Sequence, residues 1–390
     1  MKWRYTYTAL TLCTLAFMVT MVARLSISPL VPAITDEFGV SNALVGFALS
    51  LMWATYAIAQ YPSGILGDRF GERRVILSAI GLTGVASVLL ALSPSYGAFV
   101  LFTVLLGFGA GLHYTPATAY LTKQFDDIGR AIGFHIAGSP AAGLVAPVAA
   151  ALIASIYGWR AGVLIGVVLA VPIFVLFVWR IRPTEPERPD QSMRERIQVS
   201  TILELLSRPT IAYTTVIAFL CAFTWQATAS FLPAFFSEGQ GLSPSLASAL
   251  FSLYFLAHGL TQPVTGWLSD RFGRDPTTGV SMVAGILGYG LLIAGEGLVV
   301  YTVGVCFVGL AMSWGAPVQS RFMESFAEAE RGTGFGLVRT VYMTTGASGS
   351  VVVGALADLA GWEAAFGLLV GTMSLVLVGL LANRVLRLGL

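Results

Sequence analysis

Two arginines, Arg24 and Arg339, and three histidines, His113, His135 and His258, stand inside long apolar runs of this 390-residue sequence. None of its 20 acidic residues does so. Asp36, Glu37, Glu238, Glu296 and Glu363 fall in the breaks on one side, Asp358 at the end of a run, and the rest in the breaks on the other side. Guanidinium does not lose its proton in proteins, and a charge at such depth costs roughly 3 kcal/mol on insertion scales. With no carboxylate at depth, the partner that remains is an anionic ligand, which the planar fork can hold through two oxygens. The alternatives are helix-to-carbonyl bonding or a gate role for Arg24, and snorkelling or gating for Arg339. A lone buried histidine is commonly a packing residue, and it is also the side chain that titrates near neutral pH. Of the three, His135 is the best candidate for a direct role.

The elements that carry these residues are long helices. The sequence is 56% hydrophobic and 11% charged, against roughly 25% charged in an average soluble chain. Its mean hydropathy is +0.79. Apolar runs of spanning length, about 20 residues, follow one another with short polar breaks and predict twelve spans. Span one covers 7–34, span five 131–156, span eight 245–266, span eleven 333–358 and span twelve 364–383. Met1 to Ile27 resembles a signal peptide, but its apolar stretch is too long and no small-x-small site follows, so it reads as a retained first helix. The long polar segment, residues 182–209 with Pro183, Pro186 and Pro189, reads as a linker between a bundle at 1–181 and a second at 210–390. With the N-terminus inside, nearly all of the 22 basic residues fall in cytoplasmic segments. Arg160 alone falls outside, and Arg24 and Arg339 within spans. That bias predicts both termini in the cytoplasm of a plasma-membrane protein.

Composition also excludes. The cations never gather into a basic stripe, which argues against nucleic acid. Cys13, Cys221 and Cys306 lack metal-ligand or disulfide spacing. No nucleophile–base pair or metal cluster lies at depth, so an enzyme is not expected, nor a cofactor or metal.

The chain repeats itself. Gly39-Val-Ser41 matches Gly241-Leu-Ser243, Gln60 matches Gln262, and Gly64-Ile-Leu-Gly-Asp68-Arg69-Phe-Gly71 matches Gly266-Trp-Leu-Ser-Asp270-Arg271-Phe-Gly273. Arg130-Ala-Ile-Gly133-Phe134 falls on Arg331-Gly-Thr-Gly334-Phe335, and Gly158-Trp159 on Gly361-Trp362. Two six-helix halves with a substrate site near the midplane is a recurring transporter plan. Within the repeat Arg24 maps to Gln226, Arg339 to Gly138 and His135 to Gly336, one turn from Arg339. His135 and Arg339 should therefore share depth and face.

The segment Gly64-x-Leu66-x-Asp68-Arg69-x-Gly71-x-Arg73-Arg74, with its copy after span eight, resembles the signature loop of the major facilitator superfamily. Arg24-Leu-Ser-Ile-Ser-Pro29-Leu-Val-Pro32, Gly39-Val-Ser41, Gly107-Phe-Gly-Ala-Gly111 with Pro116, and Gly158-Trp159-Arg160 are similar to its anion:cation symporter and organophosphate antiporter branches. Thr103 stands where those branches carry arginine, no acidic residue stands near Ala110, and the span-five motif is loose, Gly138-Ser-Pro140-Ala-Ala-Gly143. The resemblance implies an all-α fold of twelve helices in two pseudo-symmetric six-helix bundles. It implies a cytoplasmic gate at Asp68, Arg69, Arg130, Asp270 and Arg271. It also implies that spans three, six, nine and twelve face lipid while the others line a cavity. Tyr56, Gln60, Trp225, Tyr254, Gln262 and Trp314 would then join Arg24, Arg339, His113, His135, Gln226 and His258 in a substrate site.

The expected function is alternating-access transport of a small organic anion by a monomer in the bilayer, with a proton or sodium ion as coupling candidate. The competing readings are a multidrug or metabolite exporter on the same scaffold, which would usually show a buried carboxylate, and a non-transporting membrane sensor.

Overall fold

The computed structural model describes residues 2–189, 199–327 and 331–390. Residues 190–198 of the expected linker lie outside the described residues. Among the described residues every regular element is helical. Among the described residues, ten helical stretches are long and apolar enough to cross a membrane. Pro244–Phe272, 29 residues long, is not among them. Its apolarity is diluted by Ser252, Tyr254, His258, Thr261 and Gln262, which is why the expected span over 245–266 falls short. The last stretch, Gly334–Val385, runs through Gly361 at φ +85° and so is bent between the two expected spans.

The chain divides into two compact units. The first comprises Met1–Val40 and Leu51–Ile197, the second Ser41–Ser50 and Gln198–Leu390. The second unit therefore takes in the start of the helix Asn42–Phe70. There the Asp358 carboxylate accepts from the Asn42 and Ala43 amides at 3.1 and 2.7 Å, filling a helix N-terminus. Ser50 Oγ donates to the Ala347 carbonyl at 2.6 Å.

Each unit is organised around its first spanning helix. In Tyr5–Phe38 and in Pro209–Gly239, 78% of the apolar window is buried, against 28% in Trp159–Arg180. The latter exposes Val168, Val171, Val175 and Trp179, a face that only a lipid environment tolerates. In the first unit Ala9, Cys13, Ala16 and Val19 pack with Ile76, Ile80, Tyr120, Ala170 and Phe177. Small residues let the helices close. A Cβ on Gly138 would lie 2.7 Å from the Thr14 carbonyl, and one on Gly349 would overlap the Phe223 carbonyl.

The repeat survives where the backbone demands it. Gly39 and Gly241, Gly71 and Gly273, and Gly158 and Gly361 all adopt positive φ, which residues with a Cβ rarely do. The side chains repeat too. Trp159 Nε1 donates to Glu37 in the first unit, and Trp362 Nε1 to Glu238 at 3.2 Å in the second.

Candidate functional site

Arg24 lies in the last turn of the helix Lys2–Leu25, just before a 3-10 turn at Ser28–Leu30 interrupts the span. It is 1% exposed. Nε donates to the Thr20 carbonyl, four residues back, at 3.0 Å, and Nη2 reaches the Met21 sulfur at 2.8 Å. The guanidinium lies 3.8 Å from the centre of the Tyr56 ring and 4.9 Å from that of Trp53. These two rings stand three residues apart on Asn42–Phe70, so they share one helix face. Cation–π attraction of this kind is worth about 0.5–2 kcal/mol. It softens the isolation of the charge and does not neutralise it. Nη1 has no hydrogen-bond partner, and among the described residues Arg24 makes no ion pair. The arrangement holds the guanidinium plane against an aromatic wall and leaves one edge free, the geometry that receives an oxyanion. Gln60, buried one turn beyond Tyr56, completes this helix face.

The same unit buries His113 and His135 completely. His113 occupies the break between Tyr96–Gly111 and Tyr114–Thr122, and His135 the last turn of Ile128–Ile136. Their ring centres are 5.5 Å apart. Phe17 packs on both, at 5.9 and 5.2 Å, and Tyr114 lies 6.0 Å from His135. No ring nitrogen of either histidine has a hydrogen-bond partner.

In the second unit Gln226 is 1% exposed. Its Nε2 donates to the Met343 carbonyl at 3.0 Å. A carbonyl only accepts, so the amide nitrogen must face it, and Oε1 is left without a partner. The helix Pro209–Ala234 runs unbroken past Gln226, unlike the interrupted span at Arg24. Trp225 and Arg339 are half-buried, Arg339 on Arg331–Gly346. Tyr254 is buried and packs 6.2 Å from the half-buried His258. Trp314 sits in a 3-10 turn, Met312–Trp314, and lies 6.5 Å from Tyr342. The Tyr254 hydroxyl, His258 Nδ1 and Trp314 Nε1 have no hydrogen-bond partners. Gln262 is half-buried, a turn beyond His258.

At the expected gate, Arg69, Arg130 and Arg271 are exposed and Asp68 half-buried. Arg130 lines a groove with Asp127, Tyr7, Thr11 and Phe134. The residues that brace these loops were not singled out from the sequence. Glu72, buried, pairs with Lys123, which also meets Glu187 at 2.6 Å. Arg73 donates to the Ile181 and Val178 carbonyls at 2.7 and 2.8 Å, and the Arg188 amide to the Asp68 carbonyl at 3.0 Å. In the second unit Arg274 holds Asp270 at 2.5 Å and Glu324 at 2.8 Å. Under the repeat Arg274 stands at the position of Glu72 and Glu324 at that of Lys123, so the brace is kept with its charges exchanged. The repeat register was the signal that could have found it.

Burial works against the Lys123 ammonium, but its hydrogen bonds to Glu187 and Glu72 outweigh it and hold its pKa above the usual lysine value. The same bond from Lys123 holds the Glu187 carboxyl below the usual carboxylate value.

Similarity to known proteins agrees with this architecture. The sequence profile of the Major Facilitator Superfamily matches residues 12–242 and 214–387. A probable nitrate/nitrite antiporter of Thermus thermophilus is 30% identical over 75% of this chain and 68% of its own. A probable 4-methylmuconolactone transporter of Cupriavidus pinatubonensis is 28% identical over 87% and 81%. The inward-facing, occupied crystal structure of a bacterial homologue of the human lysosomal transporter Spinster shares the fold, with a TM-score of 0.78 at 16% identity over 96% of each chain. Two profile matches that together span most of the chain place it: this chain belongs to the Major Facilitator Superfamily and is a multi-pass membrane transport protein, not an enzyme.

Proposed function

We propose that this protein is a secondary active transporter of a small organic anion, a carboxylate or phosphate-bearing metabolite, working by alternating access with Arg24 as the anion anchor. The observation that carries the proposal is the Arg24 guanidinium itself. It is 1% exposed, backed by two aromatic rings, with Nη1 unpartnered and, among the described residues, no carboxylate paired to it. A fixed, desolvated positive charge of this kind is stable only with a partner, and the ligand supplies it. Relatives named for nitrate/nitrite and for 4-methylmuconolactone support an oxygen-rich cargo.

In the second unit the residues proposed for substrate are Gln226, Tyr254, His258, Gln262, Trp314 and Arg339. Twelve spans, halves at 1–181 and 210–390, and both termini in the cytoplasm of the plasma membrane complete the picture, on the strength of the positive-inside bias.

The test is a thermal-shift screen of the purified protein against nitrate, inorganic phosphate, glucuronate, 4-methylmuconolactone and a lipophilic cation such as tetraphenylphosphonium. Anions raise the melting temperature by mass action, and the cation does not. Stabilisation by the cation with indifference to every anion removes the proposal.

A further inference from the structure

We propose that the groove between Tyr5–Phe38 and Trp159–Arg180 in the first unit, at the end where Tyr7 and Arg180 lie, binds one anionic phospholipid of the adjoining leaflet. The site stands apart from Arg24 and does not depend on what the protein carries.

The groove holds roughly 620 Å³. Leu12, Leu15 and Leu176 give it apolar walls, and Tyr7, Thr8, Thr11 and Arg180 line it nearer the ends of the two spans. Tyr7 to Leu15 covers about 12 Å along one helix, enough to seat the upper part of an acyl chain. The facing wall is the last turn of Trp159–Arg180, which puts its arginine at the membrane surface and its leucine below. Beside Leu176 runs the exposed stripe Val168, Val171, Val175 and Trp179, so the groove opens onto lipid and an acyl chain enters it sideways. An occupant that is apolar at depth and polar at the surface fits these walls.

Charge selects the head group. The Arg180 guanidinium lies 4.2 Å from the centre of the exposed Trp179 ring, and among the described residues it makes no ion pair. Arg182 lies 4.8 Å from the centre of the Tyr5 ring, and its amide donates to the Tyr5 hydroxyl at 3.0 Å. Arg73 reaches the same helix end through the Val178 and Ile181 carbonyls. Of the two carboxylates in residues 181–189, Glu187 is paired with Lys123 and Glu185 is exposed. Three guanidiniums against Glu185 at the end of one span attract a phosphate, which the arginine fork holds through two oxygens. The second unit supplies a contrast. Its groove of roughly 340 Å³ is lined by Leu377, Leu380, Leu381 and Arg384, but also by Asp275, which pairs with Arg321. A carboxylate in the wall offsets the arginine, so that groove does not favour an anionic head group.

The test is native mass spectrometry of the full chain, delipidated in detergent and titrated with phosphatidylglycerol, phosphatidylcholine or glycerol phosphate. The first lipid bound should be phosphatidylglycerol in preference to phosphatidylcholine, and glycerol phosphate, the head group without chains, should not displace it. Arg180→Gln should weaken phosphatidylglycerol binding roughly fivefold or more and leave phosphatidylcholine unchanged. Thr11→Trp and Leu176→Trp fill the groove from opposite walls, both at exposed positions, and each should weaken the first binding event for both lipids. Arg384→Gln should keep the parent's preference. Melting curves recorded without lipid show that each variant is folded before it is titrated, and either groove-filling variant decides the matter if the other fails to fold. Equal binding of the two lipids by the parent overturns the proposal. So does a loss in Arg384→Gln as large as in Arg180→Gln, unchanged binding in a folded groove-filling variant, or displacement by glycerol phosphate, which would make the site one for a free phosphate.

Discussion

A buried arginine without a carboxylate sets function against stability at a single residue. Arg24→Met keeps much of the volume and removes a desolvated charge, a replacement that is often neutral or stabilising. The expected outcome is a melting temperature equal to or above the parent's, with anion-induced stabilisation abolished. If Arg24 merely tied Thr20 and the aromatic wall together, the same variant would melt lower instead. Arg24→Lys should fail nearly as badly as Arg24→Ala. It keeps the charge but loses the two-pronged edge and the ring-stacking plane against Tyr56. Charge-assisted hydrogen bonds are worth about 1.5–3 kcal/mol each, so ligand affinity should drop roughly tenfold to several-hundredfold. Calorimetric titration of monodisperse variants with the best-stabilising anion measures both. Wild-type affinity in Arg24→Ala would move the anchor to Arg339.

Between helices, the cytoplasmic braces decide how firmly each loop is held. Glu72 is buried while its partner Lys123 is largely exposed, so the two ends of the pair are not equivalent. Lys123→Met leaves a buried carboxylate uncompensated and should destabilise more than Glu72→Gln, by about 1 kcal/mol or more. Because the second unit runs the same brace with exchanged charges, the double variant Glu72→Lys with Lys123→Glu should recover part of the loss, and thermal unfolding of the four proteins closes the cycle. Glu187, whose carboxyl lies below its ordinary pKa, contributes stability at pH values above the unfolded value of about 4.3. That contribution disappears as pH falls through the depressed folded value.

Gly71 makes a second element-scale case. It sits at φ +84° with its missing Cβ directed into the Thr184 carbonyl, whereas Gly273, at φ +95°, has only Pro276 Cδ at 3.7 Å. Both alanine variants carry backbone strain of roughly 1–3 kcal/mol. Gly71→Ala adds a collision with backbone and should melt at the lower temperature. Equal losses would mean that the segment near Thr184 moves aside freely.

For the whole molecule, transport is a cycle, and the signature loop is expected to act on its rate. Asp68→Asn should slow exchange of labelled anion in proteoliposomes while leaving ligand affinity nearly unchanged, because the loop lies at the membrane surface and the anchor in the span. A large loss of affinity with intact turnover would assign Asp68 to the ligand instead. The same assay reports coupling. Uptake of the anion should accelerate under an inward proton gradient and lose that response in His135→Gln while counterflow persists.

Much of this was settled by residue order alone. Twenty-residue apolar runs can only be buried or placed in lipid, so class, helicity and membrane location followed from hydropathy. The repeated glycines marked positions where two separate stretches of chain need the same positive φ, and the repeat was legible from them. The isolation of Arg24 was also visible, because every carboxylate could be placed outside the spans without knowing any contact. What the sequence could not settle is which side chains meet. That Tyr56 and Trp53 wall the guanidinium, that His113 and His135 from different helices lie ring to ring, and that Lys123 reaches Glu72 depend on how helices rotate and cross. Hydropathy does not encode those angles when nearly every face is apolar. The interruptions at Ser26–Leu30 and Leu112–His113 were equally hidden. They arise from local backbone geometry rather than from composition, and they are what position the buried polar groups of the first unit.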